Sequence, residues 1–249
     1  MPSNDERRTL DRYLSRCGVA TREDAKRAIV AGRVKVGGQV IRDTDHWITP
    51  GRDRVTLDGQ PVRERTSTQV VLFNKPRGVV STFSDPEGRP TLRDTLPSPW
   101  RDDPGLRPVG RLDRASAGLL LFTDSTDLAD RLLSPEFHVE KEYRVKVRPA
   151  PSDQTLAAWR RGVDIGDATP TAPAGINRER TSEKSAVIGF VLREGRNRQI
   201  RRMAEAAGSK VEWLVRHRFG PIELGDLPPG EARLATADEL SALLAAPGR

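Results

Sequence analysis

Three short segments place charged and polar side chains directly beside apolar runs. Arg111-Leu112-Asp113 precedes the apolar run Gly118–Phe122, Lys141–Arg144 begins an alternating segment, and Arg193–Arg202 is rich in arginine. The first segment offers a carboxylate, and a carboxylate can act as a nucleophile or a base. The third offers dense positive charge, which suits the phosphates of a nucleic acid. The alternative for each segment is a solvated turn or a solvated run of charge.

The arginine-rich segment conflicts with simple helix energetics. The segment contains five arginines and one acid, Glu194: the arginines are Arg193, Arg196, Arg198, Arg201 and Arg202. A helix is predicted to begin there, and the positive end of a helix dipole favours anions rather than cations. We therefore expect an incoming phosphate backbone to relieve the repulsion between these arginines.

Composition points in the same direction. The chain has 249 residues, enough for a medium domain with a small one attached, and a formal net charge of +7. This charge favours a polyanionic partner, most simply a nucleic acid, although a merely arginine-rich protein is the alternative. No apolar run approaches the ~18 residues that span a membrane, and the first residues do not resemble a signal peptide.

Cysteine and histidine usage excludes other classes of site. Cys17 is the single cysteine, so neither a disulfide framework nor a cysteine zinc cluster is expected. The histidines His46, His138 and His217 are far apart in sequence, and we predict no metal site. We expect a cytoplasmic protein that does not associate with membranes.

The N-terminal residues predict a small separate unit, which we place at 1–65 with a linker at 66–69. Leu10, Tyr13, Leu14 and Cys17 are spaced as one face of a short helix, and Thr21 can cap a second helix. Turns at Gly37-Gly38 and Asp58-Gly59 then predict hairpins.

Basic residues recur through both predicted helices and the strand that follows. They are Arg12, Arg16, Arg22, Lys26, Arg27, Arg33 and Lys35. One basic face built from these side chains would bind phosphates without reading sequence. The alternatives are a solvated surface, because Asp11, Glu23 and Asp24 lie among them, and a DNA-binding helix-turn-helix.

Residues 70–249 predict a larger domain in which strands outnumber helices. The strands are expected at 70–73, 79–80, 118–122, 141–147, 185–192 and 211–224, and the helices at 125–133, 152–161, 197–207 and 236–246, with a long loop at 84–105. Helices and strands do not alternate regularly. The expected class is α+β: a mainly antiparallel mixed sheet flanked by helices, preceded by a small α/β-hairpin RNA-binding domain.

Four motifs in a fixed order carry a family resemblance. "NKPRGVVST", "GRLDRASAGLLLFTD", "KEYRV" and "EGRNRQIRRM" resemble the ribosomal-RNA pseudouridine synthases that act on one uridine of a large- or small-subunit RNA. Residues 1–65 resemble the RNA-binding module, first described in a small-subunit ribosomal protein, that commonly precedes that catalytic domain. The resemblance implies that Asp113 is the essential aspartate, that Tyr143 packs against the target base, and that Arg201 pairs with the aspartate.

The resemblance also implies a substrate-binding shell and a reaction. Ile200 and Leu214 match the apolar walls of the uracil pocket, and we expect Arg111 and Arg198 to bind the RNA. Isomerising uridine to pseudouridine needs no redox step, and we expect no cofactor. Burial raises the pKa of a carboxylate and a guanidinium lowers it, so an arginine beside the aspartate would keep it ionised.

The expected partner is ribosomal RNA or a ribosomal precursor particle, bound by a monomer. The arginine motif resembles that of the large-subunit members of the family more closely, and this resemblance implies 23S rather than 16S RNA as the substrate. Two other functions remain open at this point. One is a non-catalytic RNA-binding factor in ribosome assembly, and the other is a glycosidase, which would usually need two carboxylates.

Overall fold

The structure is a computed structural model that describes residues 7–65 and 67–245. Contacts divide the described chain into two units. The first holds the residues up to Val70 together with Ser98–Arg107 and Phe122–Thr126; the second holds Val71–Pro97, Pro108–Leu121 and the residues from Asp127 onward. Of the ranges predicted from sequence, residues 1–6, residue 66 in the linker and residues 246–249 lie outside the described residues.

The N-terminal part of the first unit follows the predicted order of helix, helix and hairpins. Its elements are β1 (Arg8–Thr9), α1 (Leu10–Arg16), α2 (Arg22–Val30), β2 (Val34–Val36), β3 (Gln39–Val40), β4 (Trp47–Ile48), β5 (Val55–Leu57) and β6 (Gln60–Pro61). The Thr21 side chain accepts a hydrogen bond from the backbone N–H of Asp24, which caps α2 as predicted. The predicted helix face is buried, because Leu10, Tyr13 and Leu14 belong to the core of this unit.

The rest of the chain supplies a large sheet and five helices within the described residues. The elements are β7 (Val70–Lys75), α3 (Leu92–Thr95), β8 (Arg107–Pro108), β9 (Ala117–Thr123), α4 (Thr126–Leu133), β10 (Lys141–Arg148), α5 (Asp153–Arg161), β11 (Gly175–Thr181), β12 (Ala186–Leu192), α6 (Gln199–Ala206), β13 (Lys210–Phe219), β14 (Ile222–Glu223), β15 (Ala232–Leu234) and α7 (Ala237–Ala245). The strand order is β11-β12-β10-β13-β9-β7-β15, with β14 beside β13 and β8 beside β9.

The sheet is mixed and mainly antiparallel, which confirms the predicted fold class. The pairing of β13 with β9 is parallel, while β10 pairs antiparallel with both β12 and β13. At the parallel contact Gly118 lies opposite Arg216 and has a φ of +105°. A Cβ at Gly118 would collide with the Arg216 backbone, so only glycine lets β9 approach β13 this closely.

Some predicted elements differ from the structure. The strand predicted at Val79-Val80 is wrong, because only a single bridge joins Val80 to Thr91. The loop predicted at 84–105 contains α3 and a short 3₁₀ turn at Trp100–Asp102. Sequence patterning missed β11 and β15, which are short or rich in charge. No helix in the described part of the chain has the length and apolar character needed to cross a membrane.

Candidate active site

A cavity of about 450 Å³ opens in the second unit, above the middle of the sheet. Its floor comes from β10, β12 and β13, and its walls from the segments 110–116, 133–135 and 193–201. The cavity lining includes all seven residues that the sequence predicts for the catalytic domain: Arg111, Asp113, Tyr143, Arg198, Ile200, Arg201 and Leu214. The cavity thus brings together residues as far apart in sequence as Arg111 and Leu214.

The loop that carries Asp113 is fixed by the segment after β7. The Ser81 hydroxyl donates to the Leu112 carbonyl at 2.7 Å and accepts from the Leu112 backbone N–H at 3.1 Å. The Gly78 backbone N–H donates to the carbonyl of Arg114 at 2.7 Å. Because these bonds hold the backbone on both sides of Asp113, the carboxylate projects from a constrained loop at the cavity wall.

Arg201 lies beside Asp113, from the first turn of α6. The Arg201 Nε is 3.7 Å from an Asp113 carboxylate oxygen, which makes an ion pair but not a hydrogen bond. The Arg201 Nη2 donates to the Ala115 carbonyl at 3.1 Å and to the Ser116 hydroxyl oxygen at 3.2 Å. The side chain of Asp113 is 31% exposed and that of Arg201 only 9%, so the carboxylate remains reachable from the cavity.

Arg201 is the more buried member of this ion pair, and burial shifts its pKa. Desolvation lowers the pKa of Arg201 from its ordinary value, and the nearby Asp113 charge opposes that shift. The Arg201 Nε is buried and has no hydrogen-bond partner among the described residues. The nearest acceptor it faces is Asp113, so a small movement of that carboxylate would complete the bond.

Lys75, at the end of β7, is a charged group that sequence patterning missed. Its side chain is fully buried, and its Nζ donates to the carbonyls of Val79 at 2.7 Å and Pro76 at 3.0 Å. Burial lowers the pKa of Lys75 to about 8, with Asp113 acting in the opposite direction. Lys75 therefore stabilises the turn after β7, and Gly78 and Ser81 of that segment hold the Asp113 loop. Lys75 also adds positive charge near the Asp113 carboxylate.

The cavity floor combines apolar and cationic side chains. Tyr143 is buried on β10, Leu214 is buried on the neighbouring strand β13, and Ile200 is buried on helix α6. Arg216 is also buried; its Nε donates to the Leu119 carbonyl at 2.7 Å, while its Nη2 has no partner in the described structure. The sequence predicted an extended segment at 211–224 and gave no indication that Arg216 would be buried in it.

Most arginines of the arginine-rich segment have partners within the chain. Arg196 bonds Glu194 and the carbonyls of Thr169 and Pro170, while Arg202 bonds Asp167 and the Ile165 carbonyl. The chain's own acids and carbonyls thus offset part of the repulsion between these arginines, and the contact of the segment with a phosphate backbone stays a prediction. Arg193 likewise pairs with Glu140 at 2.9 Å. Arg198 is exposed, with one long contact to Glu205 at 3.9 Å.

Exposed arginines do lie near the cavity, on the other wall. Arg77, Arg111 and Arg114 are exposed, and no side-chain hydrogen bond or ion pair is found for them in residues 7–65 and 67–245. The Arg77 charge acts on Arg201, which places it close to the site. This rim could receive phosphates without first breaking an internal ion pair.

Seven basic residues of the first unit were predicted to form an RNA-binding face, and four of them have acidic neighbours. Arg22 bonds Asp11, Arg27 pairs with Asp24 and Glu23, Arg33 bonds Asp58, and Arg16 lies 4.0 Å from Glu64. Arg12, Lys26 and Lys35 are exposed, and no ion pair is found for them among the described residues. The single face that the sequence predicts remains a prediction.

Comparisons with known proteins agree with this arrangement. Residues 69–206 match the model of the RNA pseudouridylate synthase family, and residues 8–53 match the S4 domain. A Bacillus subtilis protein named ribosomal large subunit pseudouridine synthase B is 35% identical over 95% of this chain and 95% of its own length. A protein of the same name from Escherichia coli O6:H1 is 38% identical over 96% of this chain and 84% of its own length.

A solved structure supports the same assignment. A crystal structure of a pseudouridylate synthase is 30% identical and superposes with a TM-score of 0.66, covering 94% of this chain and 99% of that one. The family model covers more than half of the chain, and its matched segment contains Asp113, Tyr143 and Arg201. The chain therefore belongs to the RNA pseudouridylate synthase family, with an N-terminal S4 domain, and is an isomerase.

Proposed function

We propose that this enzyme converts a specific uridine of ribosomal RNA, in the 23S rather than the 16S molecule, into pseudouridine, with Asp113 as the catalytic group and no cofactor. The observation that carries the proposal is the exposed Asp113 carboxylate, 3.7 Å from the buried Arg201 guanidinium in a cavity of about 450 Å³. The two relatives named for the ribosomal large subunit support the choice of RNA.

The reaction breaks the bond between ribose C1′ and uracil N1, turns the base, and joins C1′ to C5. The proton on C5 leaves and N1 takes up a proton, so the product is an isomer of the substrate. Asp113 can serve either by attacking covalently or by abstracting a proton from the ribose, and in both routes it starts as the anion. Arg201 favours that anion by direct charge interaction.

The remaining predicted residues hold the nucleotide. A base that leaves its helical stack loses a few kcal/mol, and stacking against an aromatic ring returns about 1–3 kcal/mol. Tyr143 supplies that ring, with Ile200 and Leu214 as apolar walls. Arg111 and Arg198 contact the RNA backbone at the mouth, and the basic residues of the first unit bind phosphates elsewhere. The protein is proposed to work as a monomer in the cytoplasm.

The geometry favours this reaction over glycoside hydrolysis. The cavity holds a second carboxylate, Glu194, but it bonds the Gln199 amide at 2.7 Å, the Ala172 backbone N–H at 2.9 Å and the Arg196 guanidinium at 2.9 Å. A carboxylate held by three donors is poorly suited to act as a general acid.

The test maps pseudouridines in ribosomal RNA from a strain that lacks the gene, then restores either the wild type or Asp113→Asn. We expect a pseudouridine to disappear from 23S RNA and to return with the wild type alone. Retained RNA binding by Asp113→Asn would show that the variant is folded. Restoration by Asp113→Asn would exclude the catalytic aspartate, and an unchanged map would favour a non-catalytic assembly factor.

A further inference from the structure

Two cations share one aromatic ring in the floor of the cavity, and no acid among the described residues pairs with either. The Lys141 Nζ lies 5.3 Å from the centre of the Phe219 ring, and the Arg216 guanidinium carbon lies 5.1 Å from it. Within the described residues, no carboxylate lies within 4.0 Å of either cation. Cation–π contacts offset part of the cost of burying these charges, but they do not neutralise them.

Unsatisfied donors in this floor point to an anionic ligand. Arg216 is nine-tenths buried or more, lines the cavity, and its Nη2 has no hydrogen-bond partner in the described structure. Lys141 donates one hydrogen bond, to the Val139 carbonyl at 3.0 Å, and its ammonium has two further protons to offer. A fold selected only for stability would pair or replace such groups, since unpaired buried charge is costly.

We propose that Lys141 and Arg216 form an anion subsite that carries the negative charge of the uracil ring after its bond to the ribose breaks. This inference rests on the proposed function and assigns to it two residues outside the Asp113–Arg201 pair. When the C1′–N1 bond breaks, its electron pair leaves with N1, and the uracil becomes an anion. C1′ is then held by an Asp113 oxygen, or by a double bond to C2′ if Asp113 has taken the C2′ proton.

The uracil anion fits this floor better than a phosphate does. Tyr143 lies opposite Arg216 in the pairing of β10 with β13, and both line the cavity together with Leu214, so an aromatic ring and an apolar side chain adjoin the two cations. A phosphate is strongly hydrated and would lose its water here, whereas exposed arginines at the rim can bind it in solvent. Preorganised donors act most strongly on charge that develops during the reaction, because they need not reorganise.

The ammonium form of Lys141 is the form that the subsite needs. Burial, and then the Arg216 charge, lower the pKa of Lys141 to about 8. The other charged groups lining the cavity are Asp113, Glu194, Arg111, Arg193, Arg196, Arg198 and Arg201. Arg193 directly follows Leu192, which pairs with Lys141, and its charge is matched by Glu140. The rate should therefore fall as the pH rises through about 8, and an arginine at this position should remove that decline.

The experiment uses the full chain and a 23S transcript labelled with tritium at C5 of its uridines. The tritium is released to water when C5 replaces N1 as the atom bonded to C1′. Lys141→Met should lower the single-turnover rate constant about 100-fold, the usual cost of losing one such donor, while the Kd for RNA and its salt dependence stay unchanged. Lys146→Met is the matched control, since Lys146 lies on the opposite face of β10 and pairs with Glu212 at 2.9 Å. It should stay within about twofold of the wild type, because exposed pairs contribute little.

Each outcome separates the subsite from its rivals. A raised Kd with a salt slope reduced by about one would identify a phosphate contact and overturn the proposal. An unchanged rate in Lys141→Met would overturn it directly. Lys141→Arg keeps the charge: retention of activity above pH 8 supports the subsite, and a decline still centred near pH 8 would overturn it and implicate Lys75. A wild type that releases no tritium would instead contradict the proposed function.

Discussion

Arginines of the first unit lie on the surface beside acids, whereas the cations of the cavity are buried beside few acids. Arg27 and Arg33 each pair with an exposed aspartate, and such exposed pairs contribute about 0–1 kcal/mol. At the cavity, Arg201 and Arg216 are buried and Lys141 is half-buried, while Lys75 is fully buried outside the lining. Among the described residues, Arg201 is the one of these four cations that lies within 4.0 Å of a carboxylate, that of Asp113.

This difference shows that a count of basic residues does not tell which of them attract the RNA and which act on negative charge formed during the reaction. Surface charge attracts a polyanion and is screened by salt, so it contributes to affinity and orientation. Buried, unpaired charge is expensive and weakly screened, and it is useful where new negative charge appears. The following substitutions test whether the two regions divide the work in this way.

The largest effect is expected at the ion pair of the cavity. Arg201→Met should lower the single-turnover rate about 100- to 1,000-fold, because Asp113 loses its counter-charge and the Ala115 and Ser116 oxygens lose their donor. The lost bonds should also reduce the free energy of unfolding by about 1–3 kcal/mol. Rates of tritium release and urea unfolding measure the two effects.

The neighbouring arginine separates catalysis from stability. Arg202→Met removes bonds to Asp167 and the Ile165 carbonyl, outside the cavity lining, and should destabilise the protein while the rate stays within about threefold. Equal losses of rate in both variants would mean that Arg201 acts only as a structural group. The conclusion that buried cations of the cavity serve the reaction would then be wrong.

A smaller effect is expected where the Asp113 loop is held. Ser81→Ala removes both bonds to Leu112 and leaves a buried carbonyl unpaired, which should cost about 1–2 kcal/mol of stability. The loop should then lose alignment, and the rate should fall about tenfold at unchanged RNA affinity. Ser182→Ala, in an exposed turn closed by Ser185, is the matched control. A rate unchanged by Ser81→Ala would show that Asp113 is positioned by other contacts.

The sequence predicted the reacting groups better than their supports. Asp113, Tyr143 and Arg201 stand in motifs, and the structure gathers them in one cavity. Lys75 and Ser81 also stand in a quoted motif, "NKPRGVVST", but no role was predicted for them, because their contacts depend on the turn at Pro76–Gly78. The same turn explains the wrong strand at 79–80: the Val79 carbonyl accepts from Lys75, and the Val80 N–H donates to Pro90.

The prediction of secondary structure from sequence has the same limit: it misses features that depend on contacts between distant segments. Strands with apolar alternation, such as β10 and β12, were predicted from period and composition. The edge strand β11, "GINRERT", is mostly exposed and charged, and it forms because β12 offers it a backbone partner. Periodicity reports the burial of side chains, so it cannot detect a strand held mainly by backbone hydrogen bonds.

The pH dependence of stability tests whether burial of the charged Lys75 side chain lowers the free energy of unfolding. Lys75 has a pKa of about 8 in the folded protein and 10.5 ordinarily, so between these values the unfolded chain binds more protons. Stability should rise with pH across that window, by about 1 kcal/mol per pH unit relative to Lys75→Met. Chemical unfolding at pH 7, 8, 9 and 10 measures the difference. Parallel curves for the two proteins above pH 8 would show that burial does not strain this lysine.

The smallest effect is expected on the surface of the first unit, where it sharpens the comparison. Lys26 and Lys35 are exposed without an ion pair in the described residues, whereas Arg33 already bonds Asp58. Each lysine that contacts a phosphate should, on change to Gln, lower the salt slope of RNA binding by about one and leave the rate at saturation unchanged. Arg33→Gln should alter the slope much less, because its charge is already used internally. An equal loss of slope would mean that surface pairs open on RNA, so that only burial, and not pairing, distinguishes the two regions.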